Sequence, residues 1–267
     1  MPRERSPWQP DALLLVGHGT RDRLGTEQFF TLATLLREKL APVDVEGCLL
    51  EFQHPTIAEG WQRLIERGAR SISVAPLLLF AAGHARRDIP ETIQQCANET
   101  RDRGIDARYY HGGPLSRCPQ IVELLKQRIS ATLDGSPPDP DTALVMVGRG
   151  SYDSCATTDM RLLAEIVAHQ AGFQSRAVGF YAMAEPRLPD VLDRAATEPG
   201  IRRVVVQPHL LFQGRLYDAI CNQVDEARAR HPQVIFDVGD YLGPTAAVAD
   251  ALAYRAIGSL KRKPCRA

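Results

Sequence analysis

Three residues in the first half of the chain pair a reactive side chain with a position where it can act: His18 in LLLVGHGTRD (13–22), Glu51 in LEFQHPTI (50–57) and His84 in SISVAPLLLFAAGH (71–84). Two imidazoles and a carboxylate bind a divalent transition ion while leaving coordination positions open, and the same groups accept protons near neutral pH. Taken singly none of the three is specific, because a loop histidine commonly serves as a hydrogen-bonded structural group. The case for chemistry comes from a second copy of the same motifs.

LVMVGRGSYD (144–153) repeats the first turn, with Gly148 standing 131 residues after Gly17, and the same offset sets Pro186 on Pro55. RVVVQPHLLFQGR (203–215) matches 71–84 once one residue is deleted between its Phe and its Gly, which sets Gly214 on Gly83; GDYLGPT (239–245) echoes YYHGGPL (109–115). The offset also maps His18 to Arg149, Glu51 to Ala182 and His84 to Arg215. Residues that pack or turn the chain are kept, and all three reactive groups are lost together. Such self-similarity predicts two domains of one plan: 1–133 carrying the chemistry, a proline- and aspartate-rich linker at 134–141, and 142–267 without the metal-binding histidines.

Alternating elements must position these groups. Apolar runs at 12–16, 45–50, 71–78 and 107–110 predict strands, and amphipathic segments at 27–40, 56–67, 89–103 and 120–133 predict helices. The alternation predicts an α/β fold, in each domain a small parallel β-sheet with helices on both faces and right-handed crossovers. Ligands of such sheets bind beyond the carboxyl ends of the strands, which sets His18, Glu51 and His84 around one crevice.

Composition narrows the classes further. With 44% apolar and 24% charged residues, and 32 Lys plus Arg balancing 32 Asp plus Glu, the chain has no overall field to draw it to nucleic acid or an anionic membrane. Its six cysteines include no Cys-x-x-Cys, which argues against a zinc ribbon, an iron–sulfur cluster or a redox dithiol, and they are read as reduced. No secretory signal or membrane-spanning run is found, so the expected location is the cytoplasm.

GHGTRD (17–22), LEFQHPTI and PLLLFAAGHARRDIP (76–90) together resemble the class II chelatases, and most of all the long, two-copy sirohydrochlorin cobaltochelatases of CbiX type. The resemblance covers nearly the whole chain. It implies insertion of Co2+ into sirohydrochlorin, a step toward cobalamin, without a nucleotide, and it implies that His18, His84 and Glu51 bind the metal. Siroheme ferrochelatases and nickel-inserting relatives use the same histidines, so Fe2+ and Ni2+ stay open, as does the choice of Glu51 as ligand or proton acceptor. The histidine-rich stretch and iron–sulfur motif of some long relatives are missing from this sequence. The implied substrate is a flat apolar ring with carboxylates at its rim, whose pocket mixes apolar walls with arginines. Arg21, Arg86 and Arg87 flank the first-copy histidines, and Arg149 and Arg215 replace those of the second; all five are expected partners of substrate carboxylates, the alternative being ordinary salt bridges.

Of the remaining histidines, His54 and His111 could line the cleft, His209 is expected to be structural, and His169 and His231 to face solvent at helix ends. Trp61 and Phe80 either contact the ring or pack in the core. A phosphohistidine-type phosphatase is disfavoured because Gly17, not arginine, precedes His18. A stoichiometric metal or tetrapyrrole carrier remains, since binding and insertion use the same ligands. One-copy relatives pair to form a cleft, so the fused copies are expected to form a monomer with the cleft within one chain.

Overall fold

The computed structural model describes residues 10–80 and 87–259. They form two parallel four-stranded sheets flanked by helices. In the first copy the order is β1 (Ala12–Gly17), α1 (Arg23–Leu40), β2 (Asp44–Leu49), α2 (Ile57–Glu66), β3 (Ser71–Pro76), α3 (Asp88–Asp102), β4 (Arg108–His111) and α4 (Pro119–Thr132). The second runs β5 (Thr142–Gly148), α5 (Ser154–Ala171), β6 (Ser175–Phe180), α6 (Leu188–Thr197), β7 (Arg203–Pro208), α7 (Arg215–Arg230), β8 (Ile235–Val238) and α8 (Ala246–Ser259).

Strand order is β2-β1-β3-β4 in one sheet and β6-β5-β7-β8 in the other. Register is repeated too: Gly17 pairs with Leu49 and Val16 with Pro76, as Gly148 pairs with Phe180 and Val147 with Pro208. The central strands read as unbroken apolar runs because both faces are covered. Leu14 and Val16 face the cluster built on Trp61, Leu64 and Ile93 of α2 and α3. Leu13 and Leu15, one residue out of phase, are equally buried, as are Phe29, Leu32 and Leu36 on α1. The direction in which successive strands are added reverses between the parallel neighbours β1 and β3, so the loops after those strands border the crevice where such sheets bind ligands.

The compact units are not the two sequence copies. One comprises 1–115 with 244–267, the other 116–243. Thus α4, written in the first copy, packs on α5 and β7, while α8, written in the second, packs on α1 and β3. Side chains fasten both helices: Arg203 Nη2 donates to Thr132 O (3.4 Å), Ser73 Oγ to Ala256 O (3.4 Å), and Lys39 pairs with Asp250. Residues 134–141, expected as a linker between domains, run within one unit, where Gly135 N donates to Ser130 O and Thr142 N to Asp139 O. The physical reason is that the apolar stripe of a terminal helix demands burial without saying against which of two equivalent sheets.

Candidate functional site

The loop after β1 is shaped by glycine. Gly19 has φ +91°, and a Cβ there would come within 2.0 Å of Glu51 O. This closeness lets the loops after β1 and β2 run side by side, with Leu50 N donating to Gly17 O (2.9 Å) and Glu51 N to His18 O (3.0 Å). Asp22 then starts α1 by accepting from Gly25 N (3.1 Å), four residues before the helix expected from periodicity. The next loop is anchored by Gln53 Nε2 donating to Thr20 O (2.9 Å) and by the Thr56–Glu59 capping box of α2.

His18 is half-buried, and its Nδ1 lies 3.2 Å from Gly19 O. A carbonyl oxygen only accepts, so in this contact Nδ1 is the donor and the Gly19 carbonyl orients the ring. Glu51 is exposed, and among the described residues its carboxylate has no ion pair or hydrogen bond. Phe52, next along, has φ 70° and is 54% exposed; its ring centroid lies 6.4 Å from that of His18, and Arg21 Cζ stands 5.1 Å from its centroid. Phe52 is not among the residues that the sequence motifs single out; its signal there is an aromatic in a polar turn beside Glu51.

His18 and Glu51 are therefore brought together by their backbones. His84 and Arg86 lie outside the described residues, and no cluster of three or more metal-ligating side chains occurs among the described ones. Arg87 is exposed at the start of α3. In the second copy, Arg149, Ala182 and Arg215, the counterparts of His18, Glu51 and His84, all line one cavity of about 370 Å³ with Tyr181, Met183 and Leu216. No acidic residue lines it, and among the described residues neither guanidinium has an ion pair. Arg215 is also the first residue of α7, whose N-terminus has no side-chain cap.

The other candidates separate clearly. His54 Nδ1 contacts the Glu59 carboxylate (2.9 Å) and belongs to the start of α2; this hydrogen bond lowers the Glu59 pKa. His111 ends β4 edge-on to Tyr109, and burial lowers its pKa. His209 is fully buried, which pushes it down to about 3. His169 is exposed in the last turn of α5 as expected. His231 is not solvent-facing: its side chain is 16% exposed and Nε2 meets Asp193 Oδ1 at 2.9 Å. Trp61 is a core residue donating to Thr100 Oγ1 (2.9 Å), and Phe80 is half-buried after β3.

Duplicated α/β units with this strand order and these loops define a class II chelatase-like fold. The CbiX family model matches residues 12–132 and again 143–258, and the chain belongs to that family. It is 31% identical over 245 residues to the sirohydrochlorin ferrochelatase of Priestia megaterium, covering 92% of this chain and 89% of that one. The sirohydrochlorin cobaltochelatase of the same organism is 27% identical over 233 residues, covering 87% and 74%. SirB from Bacillus subtilis with Fe3+ superposes with a TM-score of 0.81 at 28% identity, over 91% of this chain and 93% of that one. A cobalt complex of SirB gives 0.77 at 26% identity, over 94% and 95%. Length therefore does not single out cobalt, because a ferrochelatase matches along both copies.

Proposed function

We propose that the protein is a sirohydrochlorin chelatase that inserts a divalent metal into the tetrapyrrole, with His18, Glu51 and His84 as its metal-handling and proton-accepting groups. The observation that carries this is the joint replacement of those three positions by Arg149, Ala182 and Arg215 in the second copy, while Gly17, Pro55 and Gly83 keep counterparts in Gly148, Pro186 and Gly214. Metallation removes two pyrrole protons while the ion sheds water and passes from protein ligands to ring nitrogens. The Gly19 carbonyl orients the His18 ring through Nδ1, and the Glu51 carboxylate serves as a further ligand or takes a pyrrole proton. Arg21, Arg86 and Arg87 pair with substrate carboxylates, and Arg149 and Arg215 make the second copy a binding unit without metal chemistry.

Co2+ is the ion implied by the sequence resemblance and the first to test; this donor set suits Fe2+ and Ni2+ as well, and the family relatives are named for both cobalt and iron. Anaerobic absorbance of the protein with sirohydrochlorin and each ion, against metal-only controls, tests the reading. Multiple turnovers above the spontaneous rate are expected, with His18→Ala/His84→Ala at that spontaneous rate. Stoichiometric binding without turnover would instead establish a carrier.

A further inference from the structure

Phe52 is held in a backbone conformation that does not serve to bury its side chain. Its positive φ, with Gln53 N donating to Glu51 O across it (2.9 Å), makes it the centre of a tight three-residue turn. That backbone is disfavoured for a bulky side chain, and such strain persists where the surroundings over-determine it, typically at functional sites. Here the Gln53 amide bonded to Thr20 and the two backbone bonds to the β1 loop supply the constraint. Burial is not what the turn achieves, since more than half of Phe52 is exposed.

The second copy separates the turn from the carboxylate. Met183, equivalent to Phe52, has φ 58°, and Ala184 N donates to Ala182 O (2.7 Å), so the turn survives where Glu51 has become alanine. Aiming an acid is therefore not its common purpose. Both copies use it to present a large apolar side chain: Met183 lines the arginine cavity, and Phe52 stands beside His18 with Arg21 over its ring.

We propose that Phe52 is the platform that the apolar face of the tetrapyrrole contacts, setting the macrocycle beside His18 while Arg21 pairs with a rim carboxylate. This rests on the chelatase reading. An aromatic surface edged by a cation matches a flat apolar ring edged by carboxylates, and the rigid turn fixes the platform before substrate arrives.

The test uses Phe52→Gly and Phe52→Trp in the full chain. Glycine adopts positive φ freely, so Phe52→Gly removes the ring while relaxing the backbone. Its urea midpoint should equal or exceed that of the wild type, and Co2+ binding without tetrapyrrole should stay within about twofold. Fluorescence titration with metal-free sirohydrochlorin should show about tenfold weaker binding, the scale of a lost aromatic contact, and KM should rise more than kcat falls. Phe52→Trp should bind like the wild type. A purely structural residue would instead lower the midpoint and Co2+ binding together. Wild-type tetrapyrrole affinity in Phe52→Gly overturns the proposal. Because that titration needs no metallation, a wild-type protein that binds sirohydrochlorin but never turns over would refute the chelatase reading while leaving the role of Phe52 decided.

Discussion

Replacing Gly19 by alanine tests whether close approach of the β1 and β2 loops builds the site. The added Cβ would lie 2.0 Å from Glu51 O, a backbone atom that no rotamer change can move aside, in a residue with φ +91°. Positive φ alone costs an L-residue about 1–2 kcal/mol. Relieving the clash also means parting the loops, at the expense of the bonds from Leu50 N to Gly17 O and Glu51 N to His18 O, each contributing about 1 kcal/mol. The sum is about 3–4 kcal/mol. Gly68→Ala is the control, because Gly68 has nearly the same φ, +94°, with nothing within 4 Å of the point a Cβ would occupy, and should lose only the first part. Urea unfolding followed by tryptophan emission reads the relevant unit, since Trp61 is in its core. Gly19→Ala should therefore be about 2 kcal/mol less stable than Gly68→Ala and should weaken Co2+ binding, which Gly68→Ala should not. Equal midpoints for the two variants would refute the argument. Gly150→Ala, whose added Cβ would collide with Ala182 O, should destabilise the other unit without touching Co2+ affinity.

Arg149→Glu combined with Arg215→Glu should raise KM for sirohydrochlorin at least severalfold while Co2+ binding is unchanged; an unaltered KM removes those arginines from substrate binding. His209, pushed down to about 3 by burial, gives a pH signature. Below its ordinary value of about 6.5 the unfolded chain takes up a proton that the folded chain refuses, so stability should fall as pH drops from about 6.5 toward 3, by at most about 1.4 kcal/mol per pH unit. His209→Leu, copying the buried Leu77 of the first copy, should flatten that slope in urea midpoints read by circular dichroism. Light scattering should give the mass of one 29.5 kDa chain; twice that mass would refute the monomer.

The sheets were legible because burial on both faces writes strands such as LLLV and ALVMV as continuous apolar runs, while leucines at helical spacing write α1. The start of α1 was missed by four residues although Asp22 was there to cap it, since the apolar period begins only inside the helix. The seating of α4 and α8 was not legible at all. An amphipathic stripe fixes the face of a helix, and where the chain repeats itself two sheets offer equivalent seats. His231 was read as exposed for a related reason: its partner Asp193 lies 38 residues away, and a contact of that range leaves no local pattern.

Comparison of the copies draws attention to a different set of residues. It singles out His18, Glu51 and His84 because all three change while Gly17, Pro55 and Gly83 keep counterparts in Gly148, Pro186 and Gly214, and the cavity holding Arg149, Ala182 and Arg215 brings the second set of positions together. Yet it gave no hint of Phe52, since phenylalanine and methionine in equivalent places look like ordinary apolar exchange. Only the backbone distinguishes them, through a positive φ retained in both copies against its energetic cost. Keeping that cost twice, once beside an acid and once beside an alanine, requires a benefit independent of metal chemistry. Contact with the apolar body of a ligand is the benefit proposed for Phe52, and Met183, lining the cavity with Arg149 and Arg215, holds the equivalent place in the second copy.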